Sequence, residues 1–482
     1  MNCRRSNDNS GIPLLLCDTR CIDAGQGGLM TMDTLIAVTA AAARSAGADD
    51  LDEFDNLVQC AVPQFCEIPA DRWPERTDAA ERSRRAGAHV MAPLADPYAF
   101  DARRHGVPAA RARRMDPQQR LVLGLAAELF ARARTDVRRP GARVATVVGV
   151  SSTDYRAVST APLLATMTVD GALGTGDAAQ RAAVHAAGAR AVQPMTGHTM
   201  PGVLANMVPA AVQHSFDLRG PAFAVDSACA SGLTALDVGR ALLLTGAVDA
   251  CVVGGVYTAL TPEAHAGFSA IGALSPSGAC RPYTRAADGF VLGEGGALLL
   301  LRRLADAERD GDDVLAVVEA CGSSNDGRAP GVMTPTVEGQ VAAVRAARGD
   351  LPAGRVDAVE GHGTATVVGD RTELETLREV LPDAPAGSVP LGSVKAVVGH
   401  TMAASAALAL VKVVLALRRG RWAPQPEDDA GWHPLLDGSP FVVPTPADEA
   451  APVRRAAVNA FGFGGTDAHA VLAHPEVVVR RG

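Results

Sequence analysis

Residues 222–236 read Ala222-Phe-Ala-Val-Asp-Ser-Ala-Cys-Ala-Ser-Gly-Leu-Thr-Ala-Leu236, a short apolar run that breaks into small residues around Cys229 and then resumes at helical spacing. The pattern predicts strand, tight turn and helix. Leu233, Leu236 and Leu243 recur at helix-like intervals, Gly246 is a fitting stop, and Ala250-Cys-Val-Val253 reads as the next buried strand, so the unit is a βαβ crossover. Cys229 falls in the helix's first turn, where unpaired N–H groups and the positive end of the helix dipole favour a thiolate. A fall of about one to two units from a free-thiol pKa of roughly 8.5 would populate the anion near neutrality. A cysteine among small residues also serves as buried packing. This segment taken alone leaves both roles open.

The chain has 482 residues, 48% of them hydrophobic, enough to bury a large core and to hold two or more core units. A formal net charge of −8 and a pI of about 5.8 give no support to a nucleic-acid binder. Nine cysteines, scattered without paired metal-ligand spacing, fit a reduced cytosolic protein and indicate no zinc or iron–sulfur site. Residues 1–30 read as a disordered tail. Within them, Ile12-Pro-Leu-Leu-Leu-Cys17 is too short for a normal signal peptide or a membrane span, and Met30 and Met32 are candidate start sites. Ala409-Leu-Val-Lys-Val-Val-Leu-Ala-Leu417, interrupted by Lys412 and closed by Arg418-Arg419-Gly420, reads as a buried helix. No membrane segment is expected.

From Pro63 to Pro117 charge and proline rise, and Arg103, Arg104, Arg111, Arg113 and Arg114 form a basic cluster, either a solvated surface or a docking site. From Arg143 strands alternate with helices: Val144-Ala-Thr-Val-Val-Gly149 and Ala297-Leu-Leu-Leu-Leu301 are strands. A second half follows, with strands at Leu315–Val318 and Ala358–Glu360 and a helix at Val337–Ala347. Asp370 and Glu373, three apart before Leu374, Leu377 and Leu381, have the spacing of an N-cap with a capping box. Three glycine-bounded segments stand out: Gly361-His-Gly-Thr364, Gly399-His-Thr401 and Asn459-Ala-Phe-Gly-Phe-Gly-Gly-Thr-Asp467. His362 and His400 at loop edges beside Cys229 suggest a catalytic constellation, and the glycines allow close approach of backbone N–H groups to a ligand.

From about Leu35 to Leu472 the chain resembles the β-ketoacyl synthase family of the thiolase superfamily. The motifs are Asp226-Ser-Ala-Cys229, Gly361-His-Gly-Thr364, Lys395 with Gly399-His400, and Phe461-Gly-Phe-Gly-Gly-Thr466, supported by Met115-Asp-Pro-Gln-Gln-Arg120, Asn206-Met207, Leu218-Arg-Gly-Pro221, Arg281-Pro-Tyr283 and Ala287-Asp-Gly-Phe-Val291. The resemblance implies an α/β, five-layer thiolase-like fold (αβαβα) of two similar halves, at 31–279 and 280–474, with a short tail at 475–482. It also implies a cytoplasmic dimer, with itself or with a related subunit. In the implied cycle Cys229 takes an acyl group from a phosphopantetheine thioester on an acyl carrier protein. His362 and His400 then stabilise the enolate formed as a malonyl unit loses carbon dioxide, and that carbanion attacks the acyl-cysteine. The N–H groups of Cys229 and Phe463 would form the oxyanion hole, the Phe463 ring would gate the pocket, Thr364 and Thr366 would hold the pantetheine arm, and Lys395 and Glu373 would form a supporting ion pair. No tightly bound cofactor, metal, membrane or nucleic acid is implied.

The chain departs from the family pattern at several small positions, Ala40, Ala42, Pro209-Ala210, Ala365, Ser405, Ala406 and Ala409, and at Asp467, where the family has asparagine. Met115–Arg120 is similar to modular polyketide synthases, whereas Asn206-Met207, Ala230-Ser-Gly232 and Gly369-Asp-Arg-Thr-Glu373 are similar to discrete type II enzymes. The expectation is a free-standing polyketide-type condensing enzyme that meets its carrier in trans. Two alternatives are a chain-length-factor-like structural partner, against which the retained Cys229, His362, His400 and Lys395 argue, and an acyltransferase using the same acyl-cysteine without decarboxylation.

Overall fold

The computed structural model describes residues 35–69, 72, 89–152, 154–169, 177–191, 195–349, 356–381 and 384–479, so the tail expected over 1–30 lies outside them. The strands in chain order are β1 (Ile36–Ser45), β2 (Cys66–Glu67), β3 (Val90–Ala92), β4 (Val144–Gly149), β5 (Ala222–Val225), β6 (Ala250–Tyr257), β7 (Leu292–Gly293), β8 (Gly295–Arg303), β9 (Ala316–Asn325), β10 (Ala358–Glu360), β11 (Val389–Gly392), β12 (Phe441–Val442), β13 (Arg455–Gly462) and β14 (Thr466–Ala473). Eleven of them join in the order β12-β11-β10-β13-β14-β9-β1-β8-β6-β4-β5, while β2, β3 and β7 form a small separate sheet.

The long sheet is one pattern used twice. The first half runs β5-β4-β6-β8-β1 and the second β11-β10-β13-β14-β9, and counted within its own half each has the order 3-2-4-5-1. Pairing types match as well. In both halves the second strand pairs parallel with the third and fourth, and the fifth pairs antiparallel with the fourth and first. The halves meet where Ile36, Ala37 and Val38 of β1 pair with Val318, Val317 and Ala316 of β9. This is the thiolase-like architecture expected from the resemblance, although β8 pairs with β1 and β6, so the first half of the sheet extends through Arg303, beyond the expected boundary at 279.

The sheet is covered on both faces, which is why its strands read as continuous apolar runs rather than as alternations. All six residues of β4 are buried. Strand β1 runs on to Ser45 through Ala40–Ala43, which carry little side chain to signal a strand yet pack on both faces. A register shift between Val38 and Ala40 changes which positions face the centre, from Ile36 and Val38 to Ala41 and Ala43. Between the two half-sheets lie helices α1 (Ser231–Leu244) and α4 (Ser405–Arg419), packed so closely that a Cβ on Gly232 would stand 2.5 Å from the Ala407 nitrogen. Helices α2 (Val337–Arg348) and α3 (Val367–Val380) cover the outer face of the second half, and Pro117–Arg132 covers that of the first.

Lys412, the charge inside the apolar run of α4, is buried and donates to Glu360 Oε2 at 2.6 Å. Helix α1 ends before Gly246, whose φ of 68° suits a glycine stop. The segment expected as a tail from 475 begins with a short helix, Pro475–Val479. No helix among the described residues is long and apolar enough to cross a membrane.

Candidate active site

The two central helices start alike. A 3-10 turn at Ala228–Ala230 precedes α1, one at Met402–Ala404 precedes α4, and each opens on a residue with left-handed backbone, Ala228 at φ 51° and Met402 at φ 47°. Such a conformation costs a non-glycine residue about 1–3 kcal/mol and persists only where its surroundings enforce it. Around Ala228 they do. Its N–H donates to Asp226 Oδ1 at 2.9 Å, its carbonyl accepts from Ser231 Oγ at 2.6 Å, and Ser231 Oγ also accepts the Ser227 N–H at 3.0 Å. Cys229 is thereby fixed at the mouth of α1, where the second half has Ala403.

Cys229 is 3% exposed. Burial raises its thiol to about 11, against the pull of the Lys395 charge and of the N–H groups of Phe463 and of Cys229 itself. The lowered pKa expected from the helix start is therefore not found in the resting protein, because removal from water outweighs those favourable contacts.

His362 and His400 come from the second half and meet Cys229 in one cavity of about 460 Å³. Their rings are edge to face with centroids 5.8 Å apart. His400 Nδ1 accepts the Met402 N–H at 3.1 Å, which assigns the ring proton of the neutral imidazole to Nε2. Its backbone is pinned on both sides, His400 N–H to Val291 O at 2.7 Å and Gly293 N–H to His400 O at 3.0 Å. Burial first, then the Lys395 charge, holds both imidazoles well below the usual histidine range, so both are neutral donors.

Lys395 is 2% exposed and its Nζ donates to the His362 carbonyl at 2.5 Å. Glu373 accepts from His362 N and Gly363 N at 2.7 and 2.8 Å, from Tyr283 Oη at 2.8 Å and from Asn459 Nδ2 at 2.9 Å. Lys395 and Glu373 are thus bridged by the His362 backbone instead of forming the direct ion pair expected, since four other donors already occupy the carboxylate; their charges still attract. The capping box is corrected too. Thr366 caps α3 by accepting the Gly369 N–H at 3.2 Å, while Asp370 turns inward to accept from Tyr283 N and Ala365 N. Thr364 and Thr366 line the cavity with their hydroxyls 3.0 Å apart.

The closing loop lies over the turn that carries Cys229. A Cβ on Gly462 would stand 2.3 Å from Ser227 O, so only glycine permits that approach. The Phe463 ring is 36% exposed and stacks on Phe268 at 5.5 Å; Phe268 meets Phe290, and Phe290 meets His400, in an aromatic path from surface to imidazole. Ile271, Val332, Met333 and Val368, all at least 48% exposed, make the rim apolar. Sequence reasoning gave no role to Tyr283, Asn459 or the Glu360–Lys412 pair. Tyr283 and Asn459 stand inside motifs already quoted, but their contacts to Glu373 join distant segments and leave no local signal.

The family model described as Beta-ketoacyl synthase, N-terminal domain matches residues 33–307, and the C-terminal domain model matches residues 315–427. The chain is 37% identical over 470 residues to a phenolphthiocerol/phthiocerol polyketide synthase of Mycobacterium tuberculosis, covering 93% of this chain and 23% of that protein. It is 36% identical over 462 residues to the polyketide synthase ThaG of Burkholderia thailandensis, covering 91% of this chain and 8% of the relative. The chain therefore spans less than a quarter of the length of these two relatives. Among solved structures, a ketosynthase from module 6 of the Bacillus subtilis bacillaene synthase is similar with a TM-score of 0.77 at 28% identity, covering 91% of this chain and 72% of that one. An oxazolomycin ketosynthase domain from Streptomyces albus is similar with a TM-score of 0.76 at 28% identity, over 91% and 75% of the two chains.

Proposed function

Since the chain belongs to the β-ketoacyl synthase family of the thiolase superfamily, we propose that it condenses carrier-bound acyl groups in polyketide biosynthesis through an acyl-Cys229 intermediate. The observation that carries this is one cavity holding Cys229 from the first half with two neutral imidazoles from the second.

The Cys229 thiol attacks the acyl thioester, its proton passing through the neutral His362 imidazole to the departing pantetheine sulfur, so that pantetheine leaves as the thiol and the imidazole is neutral again. The N–H groups of Cys229 and Phe463 stabilise the tetrahedral oxyanion. A malonyl thioester then enters along the apolar rim, its pantetheine arm held by Thr364 and Thr366. The Nε2–H of His400, with His362, donates to its thioester carbonyl as carbon dioxide departs, and the enolate carbon attacks acyl-Cys229 to release the thiolate. Two uncharged donors suit an oxygen that gains charge only during the reaction. Lys395 and Glu373 position His362 by holding its backbone.

The mixed motifs support action on a carrier protein supplied in trans, with the arginine cluster as its docking surface and dimerisation as in the family. Peptide mass mapping after incubation with an acylated carrier tests the reading: acylation is expected at Cys229 alone, and acylation that survives Cys229→Ala would refute it.

A further inference from the structure

The cavity wall holds two acids that the condensation chemistry does not use. Asp467 of β14 pairs across the sheet with Ser324 of β9 and Phe461 of β13, and it is 1% exposed. Its Oδ2 receives no N–H or O–H among the described residues, and its polar contact is a second carboxyl, that of Asp326. A Cβ on Gly339 of α2 would stand 2.2 Å from Asp326 Oδ1 and 2.7 Å from Asp467 Oδ2, so both oxygens crowd one bare glycine. Two ionised carboxylates crowded into such a site repel each other, and a proton held between them relieves that repulsion. The donors sort the pair. Thr336 N at 3.1 Å and Thr336 Oγ1 both donate to Asp326 Oδ1, so Asp326 has donors of its own, whereas Asp467 Oδ2 has none among the described residues.

Asp326 is the joint between the two loops over the cavity. Its N–H donates to Gly465 O at 2.8 Å, Asn325 Nδ2 donates to Gly464 O at 3.1 Å, and the Gly464 N–H reaches Val332 O at 3.3 Å. We propose that Asp467 is a positioning residue whose carboxylic proton, donated to Asp326, clasps the Phe463 loop to the loop after β9, and that loss of this proton loosens the clasp. An asparagine at this position would make the contact through its amide at any pH; here the contact depends on a proton.

The surroundings leave Asp326 as the charge that acts on Asp467. From α2 the facing groups are Gln340 and the Gly339 backbone, with Glu338 and Arg345 exposed and Arg348, half-buried, acting on His469; Arg328 in the loop is exposed. Along β14, His469 is buried and neutral, its pKa about 3, and its Nδ1–H donates to Asn459 Oδ1 at 2.7 Å. Burial first, then the Asp326 charge, lifts Asp467 to about 8. An unfolded chain gives up that proton near pH 3.9, so the stabilisation it provides is complete below that value and is lost as pH rises through about 8.

The test compares wild type with Asp467→Asn from pH 5 to 9. Relative to the variant, wild-type Tm should fall as pH rises and level off above about 8; a Tm difference independent of pH overturns the shared proton. Hydrogen exchange at the Phe461–Thr466 amides, as the ratio of wild type to variant at each pH, should rise severalfold across the same window; a constant ratio overturns the clasp. If Asp467→Asn does not fold, Asp326→Asn serves, because its amide can donate to ionised Asp467 and should flatten both profiles, and unflattened profiles again overturn the proposal. The functional meaning of the clasp rests on Phe463 covering the acylation site. Neither readout requires acylation of Cys229, so failure of the condensing reading and failure of the clasp are separately visible.

Discussion

At Cys229 two local effects oppose each other, and burial wins. With burial raising the thiol to about 11, the thiolate is a small minority species at pH 7. In the proposed cycle, loading at neutral pH then requires the proton to leave as the thioester is attacked, which is why a neutral imidazole in the same cavity matters. A small alkylating agent should accordingly modify Cys229 about tenfold faster for each pH unit up to about pH 10, whereas an ordinary exposed thiol levels off near 8.5. A rate that levels off near 7 would mean the helix start prevails over burial. The segment around Cys229 was legible because strand, small-residue turn and helix are all local signals. Its pKa was not legible, because it is set by burial in the assembled fold, where segments far apart in the chain, those of Phe290, His362, His400 and Phe461 among them, line one cavity with Cys229.

Among the elements, the turn before α1 and the β13–β14 loop are fitted together without room for a methyl group. Gly462→Ala would drive a Cβ into Ser227 O and displace the nucleophile turn, at a cost of about 1–3 kcal/mol in denaturant unfolding and with slower acylation. The α4 run shows how far periodicity reaches. It announced a buried helix with Lys412 as an interruption, and only the fold supplies Glu360 as the partner. Lys412→Met should destabilise by about 3–5 kcal/mol because it strands a buried carboxylate, and adding Glu360→Gln should recover part of the loss. The capping box misled for a related reason: Thr366, Asp370 and Glu373 all suit a helix start by type, and the inward N–H groups of Tyr283, Ala365, His362 and Gly363 decide which of them caps.

For the whole molecule, strand order 3-2-4-5-1 repeated in two halves places two helix starts at the centre, and only one of them bears a cysteine. The alternation of strands and helices made this duplication legible, while the junction through Ile36–Val38 had no sequence signal because three residues suffice to make it. Of the basic cluster, Arg103, Arg104 and Arg113 are exposed. Reversing their charge should slow acylation by a carrier protein more than by a small thioester, with a difference that shrinks as salt rises; equal loss with both donors would mean damaged folding instead. In the proposed cycle the halves divide the work, Cys229 of the first accepting the acyl group and His400 of the second stabilising the enolate. The measurement that tests it most directly is to follow, in His400→Ala, both acyl loading on Cys229 by intact mass and carbon dioxide release from a malonyl carrier. Loading should persist while carbon dioxide release falls about a hundredfold or more; a variant that decarboxylates at the wild-type rate, or a wild type that loads acyl groups yet passes them to an amine or alcohol without decarboxylating any malonyl carrier, would contradict it.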